Sequence, residues 1–441
     1  MNELLMYEPK KSIMMKNYNL VLVVLIIFST LLSCDKDDNV PIIPVHPQQI
    51  VVRYEQGLEE SEKINIREKF GVLYFESCSC GDDIELWFFP QRGFEIPIEE
   101  IASKTPPDPD LEGLIGMDLN FTFTTKPSLA GYPEPDPIPE DRIVDENNGV
   151  TIAVLDTGIN LEQFNFPDKF LYNNLVNETN TECAGEEDYY GWDFVNSDNT
   201  PEDTHGHGSV TTLIQTGILE SQGITDYQIL PVKIFGVDGE SDYFTLLCGF
   251  KYALSKPEVD IIAMSFGWYG NVDGESVDKV NYELMINLIE EAETKNVLIS
   301  ASAGNGDKHN VPDKIGDDND VPPYHYPSHW SASHRNVVSV AAMNSTMTEL
   351  APFSNYGAQT VGFAARGENI NIDNSFTGLE GTSYANAYVV GYLAASYIEG
   401  MPFGDTIDML EENTLYDAGL DMIKYSSFFP CIDIDSISCL P

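Results

Sequence analysis

Val150-Thr151-Ile152-Ala153-Val154-Leu155 runs without a break into Asp156-Thr157-Gly158. Six apolar or β-branched residues with no polar alternation fit a strand covered on both faces, as in a parallel sheet. The aspartate then falls at the carboxyl end of that strand, where open α/β sheets gather their functional groups. Downstream, Gln228 to Ile234, Val259 to Ser265, Val297 to Ala301 and Val337 to Ala342 repeat the apolar pattern. Tyr243 to Ser255, Ser276 to Lys295 and Thr382 to Ile398 have helical length and period. Strands of this kind alternating with helices predict an α/β domain over residues 149–400, a mostly parallel sheet with helices on both faces.

Three more stretches complete a chemical set with Asp156. Asp203-Thr204-His205-Gly206-His207-Gly208-Ser209 opens an apolar run, which puts His207 at the start of a helix. Ala303-Gly304-Asn305-Gly306 follows the strand at Val297 to Ala301. Gly381-Thr382-Ser383-Tyr384-Ala385-Asn386-Ala387 reads as a tight turn entering a helix, with the Ser383 hydroxyl at the helix N-terminus. A serine hydroxyl is a poor nucleophile unless a base lies within reach and a third group orients that base. His207 and Asp156 fill those roles, the carboxylate fixing one imidazole tautomer. The Asn305 amide, with the backbone N–H of Ser383, would donate to a developing oxyanion.

Four motifs in the chain order Asp, His, Asn, Ser resemble those of the subtilisin-like serine peptidases, over about Val150 to Gly400. The resemblance implies that Asp156 orients, His207 is the general base, Ser383 the nucleophile and Asn305 the oxyanion donor of a serine endopeptidase acting through an acyl-enzyme on protein or peptide substrates. Val232-Lys233-Ile234-Phe235, Met264-Ser265-Phe266-Gly267 and Tyr326-Pro327 also lie where the family has similar residues. Ser265, Phe266, Gly267 and Gly304 are then expected to bind substrate, as an edge for its extended backbone and walls for the residue before the cleaved bond. The chain departs from the family at Ala387, where a proline is usual, and at Thr212 and Leu213, where small residues are usual. An aspartic mechanism needs a second carboxylate of the Asp156 type, and no second Asp-Thr-Gly or Asp-Ser-Gly occurs. The alternative from another class is a catalytically weak or inactive surface binding protein on the same fold.

Upstream, residues 49–125 read as a small domain. Ile50 to Tyr54, Val72 to Glu76, Ile84 to Phe89 and Met117 to Thr124 are expected strands, with helices at Glu59 to Phe70 and Pro97 to Ser103. This β-α-β-β-α-β order is the ferredoxin-like α+β unit. With Val51-Val52-Arg53-Tyr54 and Asp118-Leu119-Asn120, it resembles the propeptide that precedes subtilisin-like domains. Residues 126–148, dense in Pro, Asp and Glu, are expected as an exposed linker, and 401–441 as an acidic tail.

At the start, Leu20 to Leu32 is an apolar run too short to span a bilayer but suited to an export signal. Its end, Leu31-Leu32-Ser33-Cys34, resembles a bacterial lipoprotein signal. That implies a signal peptide over residues 1–33, lipid on Cys34 as the membrane anchor, and a linker over 34–48. Asp35-Lys36-Asp37-Asp38 is similar to the acidic surface-export tag of Bacteroidetes-type lipoproteins. The expected location is the outer membrane or cell surface, with release into the medium if the linker is cut.

Seventy-one acidic against 23 basic residues give a net charge of -48, a field that repels nucleic acid. Of 7 cysteines, the six beyond Cys34 permit disulfides in an exported chain; Cys78 and Cys80 are too close to pair easily, and Cys431 with Cys439 could close a short loop. No Cys/His spacing matches a zinc site, and no cofactor is expected. His309, His325, His329 and His334 near Asp317 to Asp320 leave a calcium loop open, with a solvated loop the plainer reading.

Overall fold

The computed structural model describes residues 45–432 except 91–111, 127–128, 130–131, 133–134, 137, 165, 168, 176–182, 184–187, 271–281, 307–315 and 373–375. The expected signal, Cys34 and the helix at Pro97 to Ser103 lie outside the described residues.

The N-terminal region is a four-stranded antiparallel sheet. Its strands β1 (Val45–Tyr54), β2 (Tyr74–Ser77), β3 (Ile84–Phe88) and β4 (Leu114–Thr124) lie in the order β2-β3-β1-β4, with helix α1 (Glu60–Phe70) between β1 and β2. This is the strand order of the ferredoxin-like unit read from the pattern. A capping box between Glu59 and Glu62 starts α1, and Gly71 ends it in the left-handed region at φ 71.

The large domain is built on a nine-stranded sheet. Strands β5 (Val150–Asp156), β6 (Trp192–Asp193), β7 (Tyr227–Lys233), β9 (Val259–Met264), β11 (Leu298–Ser302), β13 (Val337–Met343) and β14 (Phe363–Arg366) are all parallel, in the order β14-β13-β11-β9-β5-β7-β6. Every residue of β5 is buried, and its side chains alternate between two cores. Ile152 and Val154 join Val210, Ile214 and Val389 of helices α2 (His207–Ser221) and α5 (Thr382–Ser396). Ala153 and Leu155 join Leu247, Phe250 and Leu288 of helices α3 (Tyr243–Ser255) and α4 (Glu283–Thr294). The second core continues without a gap into Ile50, Trp87 and Phe121 of the small domain.

The stretch after residue 400 is not a tail. Helix α6 (Phe403–Glu412) buries Ile407 and Leu410, and strands β17 (Leu415–Tyr416) and β18 (Ser427–Phe428) extend the sheet beyond β14. The linker is likewise not wholly exposed: Ile143 is buried, and Leu129, Tyr132 and Ile138 pack against the core of α2 and α5.

Four kinds of contact bind the N-terminal sheet to the large domain. Strand β8 (Glu240–Asp242) of the large domain extends the small sheet by pairing antiparallel with Thr122 to Thr124. Asp118 of β4 accepts from the backbone of Leu284 (2.9 Å) and Glu283 (3.2 Å) at the start of α4 and from Tyr243 Oη (2.9 Å). Asn120 accepts from the backbone of Phe244 at the start of α3 (3.1 Å). Side-chain acceptors at helix N-termini satisfy donors that have no partner within the helix. Arg53 of β1 pairs with Glu291 of α4 at 2.6 Å. Finally, Cys78 is bonded to Cys248 of α3, and Cys80 to Cys183. Both bonds join the N-terminal sheet to the large domain across the linker. Cys431 is also disulfide-bonded, while Cys439, its expected partner, lies outside the described residues.

Candidate active site

Asp156 ends β5, and His207 begins α2 beside it. His207 Nδ1 donates to Asp156 Oδ1 at 2.7 Å, and both side chains are almost fully buried. The carboxylate also accepts from the Thr157 backbone N–H (2.8 Å) and Thr211 Oγ1 (3.3 Å), which fixes it so that it holds the ring in one orientation. Asp203, quoted in the motif but given no role there, organises the turn before α2. It accepts from the backbone of His205, Gly206 and Ser209 and from the hydroxyls of Thr157 and Ser209. Burial is the main cause that raises its pKa. His205, the other histidine of the motif, is held below its ordinary pKa range by burial and then by the nearby His207.

Ser383 lies in the first turn of α5, 3% exposed. The adjoining Tyr384 ring sits 5.9 Å from the His207 ring, which brings the helix that bears Ser383 against His207. His207 Nε2, the nitrogen turned from Asp156, is buried without a hydrogen bond among the described residues. Asn305 Oδ1 accepts from Thr382 N (2.9 Å) and Thr382 Oγ1 (3.1 Å), which fixes the amide beside Ser383 and leaves its NH2 to donate elsewhere. Gly304 N donates to Thr382 Oγ1 at 3.1 Å. Asn386, one turn along α5, donates to Ser265 Oγ at 3.1 Å and accepts from Ser300 Oγ at 2.6 Å. It ties Ser265 to the helix that bears Ser383, a role that its place in the Ser383 motif did not reveal. The sequence-predicted Asp156, His207, Asn305, Ser383, Ser265 and Gly304 are thus gathered at the carboxyl ends of β5, β9 and β11 and the N-termini of α2 and α5.

The end of β4 and the residues after it pack beside them. Phe123 at the end of β4 packs 5.7 Å from Phe266, 5.5 Å from Phe235 and 5.1 Å from Trp268. Thr125 N donates to Gly239 O at 2.9 Å, and the Lys126 ammonium donates to Glu380 O. Leu129 N then donates to His205 O at 3.0 Å, and Tyr132 Oη to Ser209 Oγ at 2.8 Å. A Cβ on Gly206, at φ 101, would come within 2.9 Å of Leu129 and 2.8 Å of Tyr132. Lys126 thus lies by the turn before Ser383, and Leu129 and Tyr132 by the turn before His207.

The histidine and aspartate loop also corrects one reading. His325 is buried rather than solvated, and burial lowers its pKa to about 3. Asp320 is taken up by the hydroxyl (2.8 Å) and backbone (3.1 Å) of Thr360. Among the described residues, no group of three His, Cys, Asp or Glu side chains is placed to hold a metal ion.

A buried serine at a helix start, a carboxylate-backed histidine and a fixed asparagine amide at one end of a parallel sheet are the parts of a serine endopeptidase. A sequence profile of the Subtilase family matches residues 147–403. The chain belongs to that family. It is 29% identical to thermitase of Thermoactinomyces vulgaris over 255 residues, covering 56% of this chain and 74% of that one. It is 24% identical to subtilisin DY of Bacillus licheniformis over 250 residues, covering 56% and 75%. Among solved structures, the epidermin leader peptide processing serine protease of Staphylococcus aureus shares the fold with a TM-score of 0.55 at 16% identity, over 87% of this chain and 96% of that one.

Proposed function

We propose that the protein is an exported, lipid-anchored serine endopeptidase whose own N-terminal domain holds its cleft closed. Ser383 attacks the scissile carbonyl, and His207 takes its proton through Nε2 while Asp156 stabilises the imidazolium. The Asn305 amide and the Ser383 backbone N–H receive the oxyanion. The proton then passes from His207 to the leaving amine, and water repeats the cycle on the acyl-enzyme. The observation that carries this reading is the 2.7 Å bond from His207 to Asp156 beside the helix that bears Ser383.

Export is supported by the two disulfides, which need an oxidising compartment, and by the Leu20 to Cys34 stretch. With both disulfides in place, the enzyme would stay on the membrane through Cys34 even after the linker is cut. A fluorophosphonate label tests the nucleophile: it should modify the nicked, reduced protein at Ser383 and leave Ser383→Ala unmodified. Equal labelling of both, or none of either, refutes the assignment. The second of these results is what the inactive binding protein would give.

A further inference from the structure

A pocket lies at the end of the large sheet away from Asp156, where β13 and β14 begin. It sits beside helix α6 and is lined by Arg335, Ser339, Phe363, Ile407, Lys424 and Tyr425 among others. Its volume is about 40 Å³, room for about three waters or for the oxygens of one small oxyanion. None of Asp156, His207, Asn305 and Ser383 belongs to it.

Two of the lining residues are cations with nothing to hold. With 71 acidic and 23 basic residues in the chain, a cation is expected to find a carboxylate. Lys233, Lys251, Lys256 and Lys295 of the same domain each do so, and Arg366 donates to two backbone carbonyls. Arg335 and Lys424, both exposed, make no ion pair and no side-chain hydrogen bond among the described residues. The acids of α6 are near without pairing with them. Asp405 stands in its first turn, and Glu411 and Asp408 join burial in pushing the Tyr425 hydroxyl up while Arg335 pulls it down.

The setting of Arg335 is unfavourable as it stands. A Cβ on Gly404 would fall 3.4 Å from Arg335 Nη2 and 3.7 Å from its Cζ, so the guanidinium lies on the first turn of α6. The helix dipole repels a cation there, and an anion between the two turns repulsion into attraction. Ile407, one turn further on, lines the same pocket. A third group is left over: Ser339 is buried, and its Oγ has no hydrogen-bond partner among the described residues. A buried hydroxyl of this kind is costly until a water or a ligand takes it.

We propose that this pocket binds one phosphate-class oxyanion, held by Arg335 and Lys424 and completed by the Ser339 hydroxyl. Two positive charges match a dianion, and the guanidinium fork suits its oxygens. The anion joins the turn before β13, the first turn of α6 and the chain before β18, and so fastens the stretch after residue 400 to the sheet. The site stands apart from the reaction and does not depend on Ser383 being the nucleophile.

Titration calorimetry of the full-length protein with inorganic phosphate, at an ionic strength held constant with sodium chloride, tests the proposal. Wild type should bind phosphate saturably at one site. Arg335→Gln and Lys424→Gln should each weaken it by about 10-fold to 100-fold, the loss of one bond between charged groups. Both side chains are exposed, so the variants should keep the parent's Tm when phosphate is absent. Phosphate should raise the Tm of wild type and leave that of Arg335→Gln/Lys424→Gln unmoved. Acetate, with one charge, should bind at least about 10-fold more weakly than phosphate. Uptake that does not saturate overturns the proposal, as does equal affinity in wild type and the double variant. Acetate bound as tightly as phosphate overturns the choice of a phosphate-class ligand.

Discussion

Cutting the chain between Leu129 and Asn148 should leave the small domain in place until Cys78–Cys248 and Cys80–Cys183 are reduced. The two bonds span 170 and 103 residues. In the chain-entropy account, closing loops that long stabilises the intact protein by on the order of 4 to 5 kcal/mol each. Once the linker is nicked, the same bonds act as tethers that hold the domain at an effective concentration of about 1 mM. Reduction in an assay at about 1 μM protein dilutes the freed domain about a thousandfold, a loss of ~4 kcal/mol in its hold on the cleft. The assay nicks the linker with a glutamyl-specific peptidase, for which it offers Glu134, Glu140 and Glu146. Peptide hydrolysis and the fragment pattern are then followed with and without dithiothreitol. Activity should rise about 10-fold to 1000-fold only after reduction, together with separation of the N-terminal fragment. Cys78→Ser/Cys80→Ser should rise on nicking alone, which separates these bonds from the one at Cys431. An N-terminal fragment that leaves nicked wild type in denaturant without reductant would refute the reasoning, as would flat activity once that fragment is gone.

Ser383→Ala should lower turnover by on the order of a millionfold, and Asn305→Ala by about a hundredfold to a thousandfold, magnitudes known from subtilisin itself; rates on a peptide anilide check both. Docking of the reduced small domain should weaken as pH rises from 5 to 8, read as loss of inhibition by the added domain. Burial pushes Asp118 up to about 6, and burial with the Asp118 charge pushes Glu283 up to about 7. A raised carboxyl favours the docked state when protonated, so this contribution is complete below the free-state value near 4 and is lost through about 6 to 7. The Arg53 pair does not oppose that trend: burial raises Glu291, but bonding to Lys251 and Arg53 outweighs it and brings the pKa to about 2, so the pair is intact across the window. Cys34→Ala should move the protein from the membrane to the soluble fraction, whereas unchanged membrane association would remove the lipid anchor.

The strands and the Asp156, His207, Asn305 and Ser383 motifs were legible because each is local: an apolar run, a helix start or a glycine turn written in consecutive residues. The partners of Cys78 and Cys80 were not legible. Both follow β2 within three residues, and α3 and the chain at Cys183 reach them only through the docking of two domains. The strands after residue 400 escaped notice because two-residue strands carry no periodicity, and they pair only because β14 is there to receive them. His325 read as part of an acidic loop, since its burial comes from Gly267, Tyr269, Gly304 and Ser328, which belong to different segments. The linker's Leu129 and Tyr132 were outnumbered by Pro, Asp and Glu, yet they are the residues that lie on α2.

The residues that end beside Glu380 belong to a strand that is committed elsewhere. β4 presents Asp118 and Asn120 to the N-termini of α4 and α3 before it reaches β8 and the site. Removing such caps costs about 0.5 to 2 kcal/mol each and leaves helix donors buried without partners. Withdrawal of the domain would also separate Arg53 from Glu291 and expose Phe121 and Phe123, which stack on Tyr243 and Phe266. A cut in the linker touches none of these contacts, because all of them lie before Lys126. The same residues that complete the helices of the peptidase therefore keep Thr125 and Lys126 beside Ser383. With the cleft closed as proposed, opening would require loss of the covalent and capping contacts that hold β4, which a cut in the linker leaves in place.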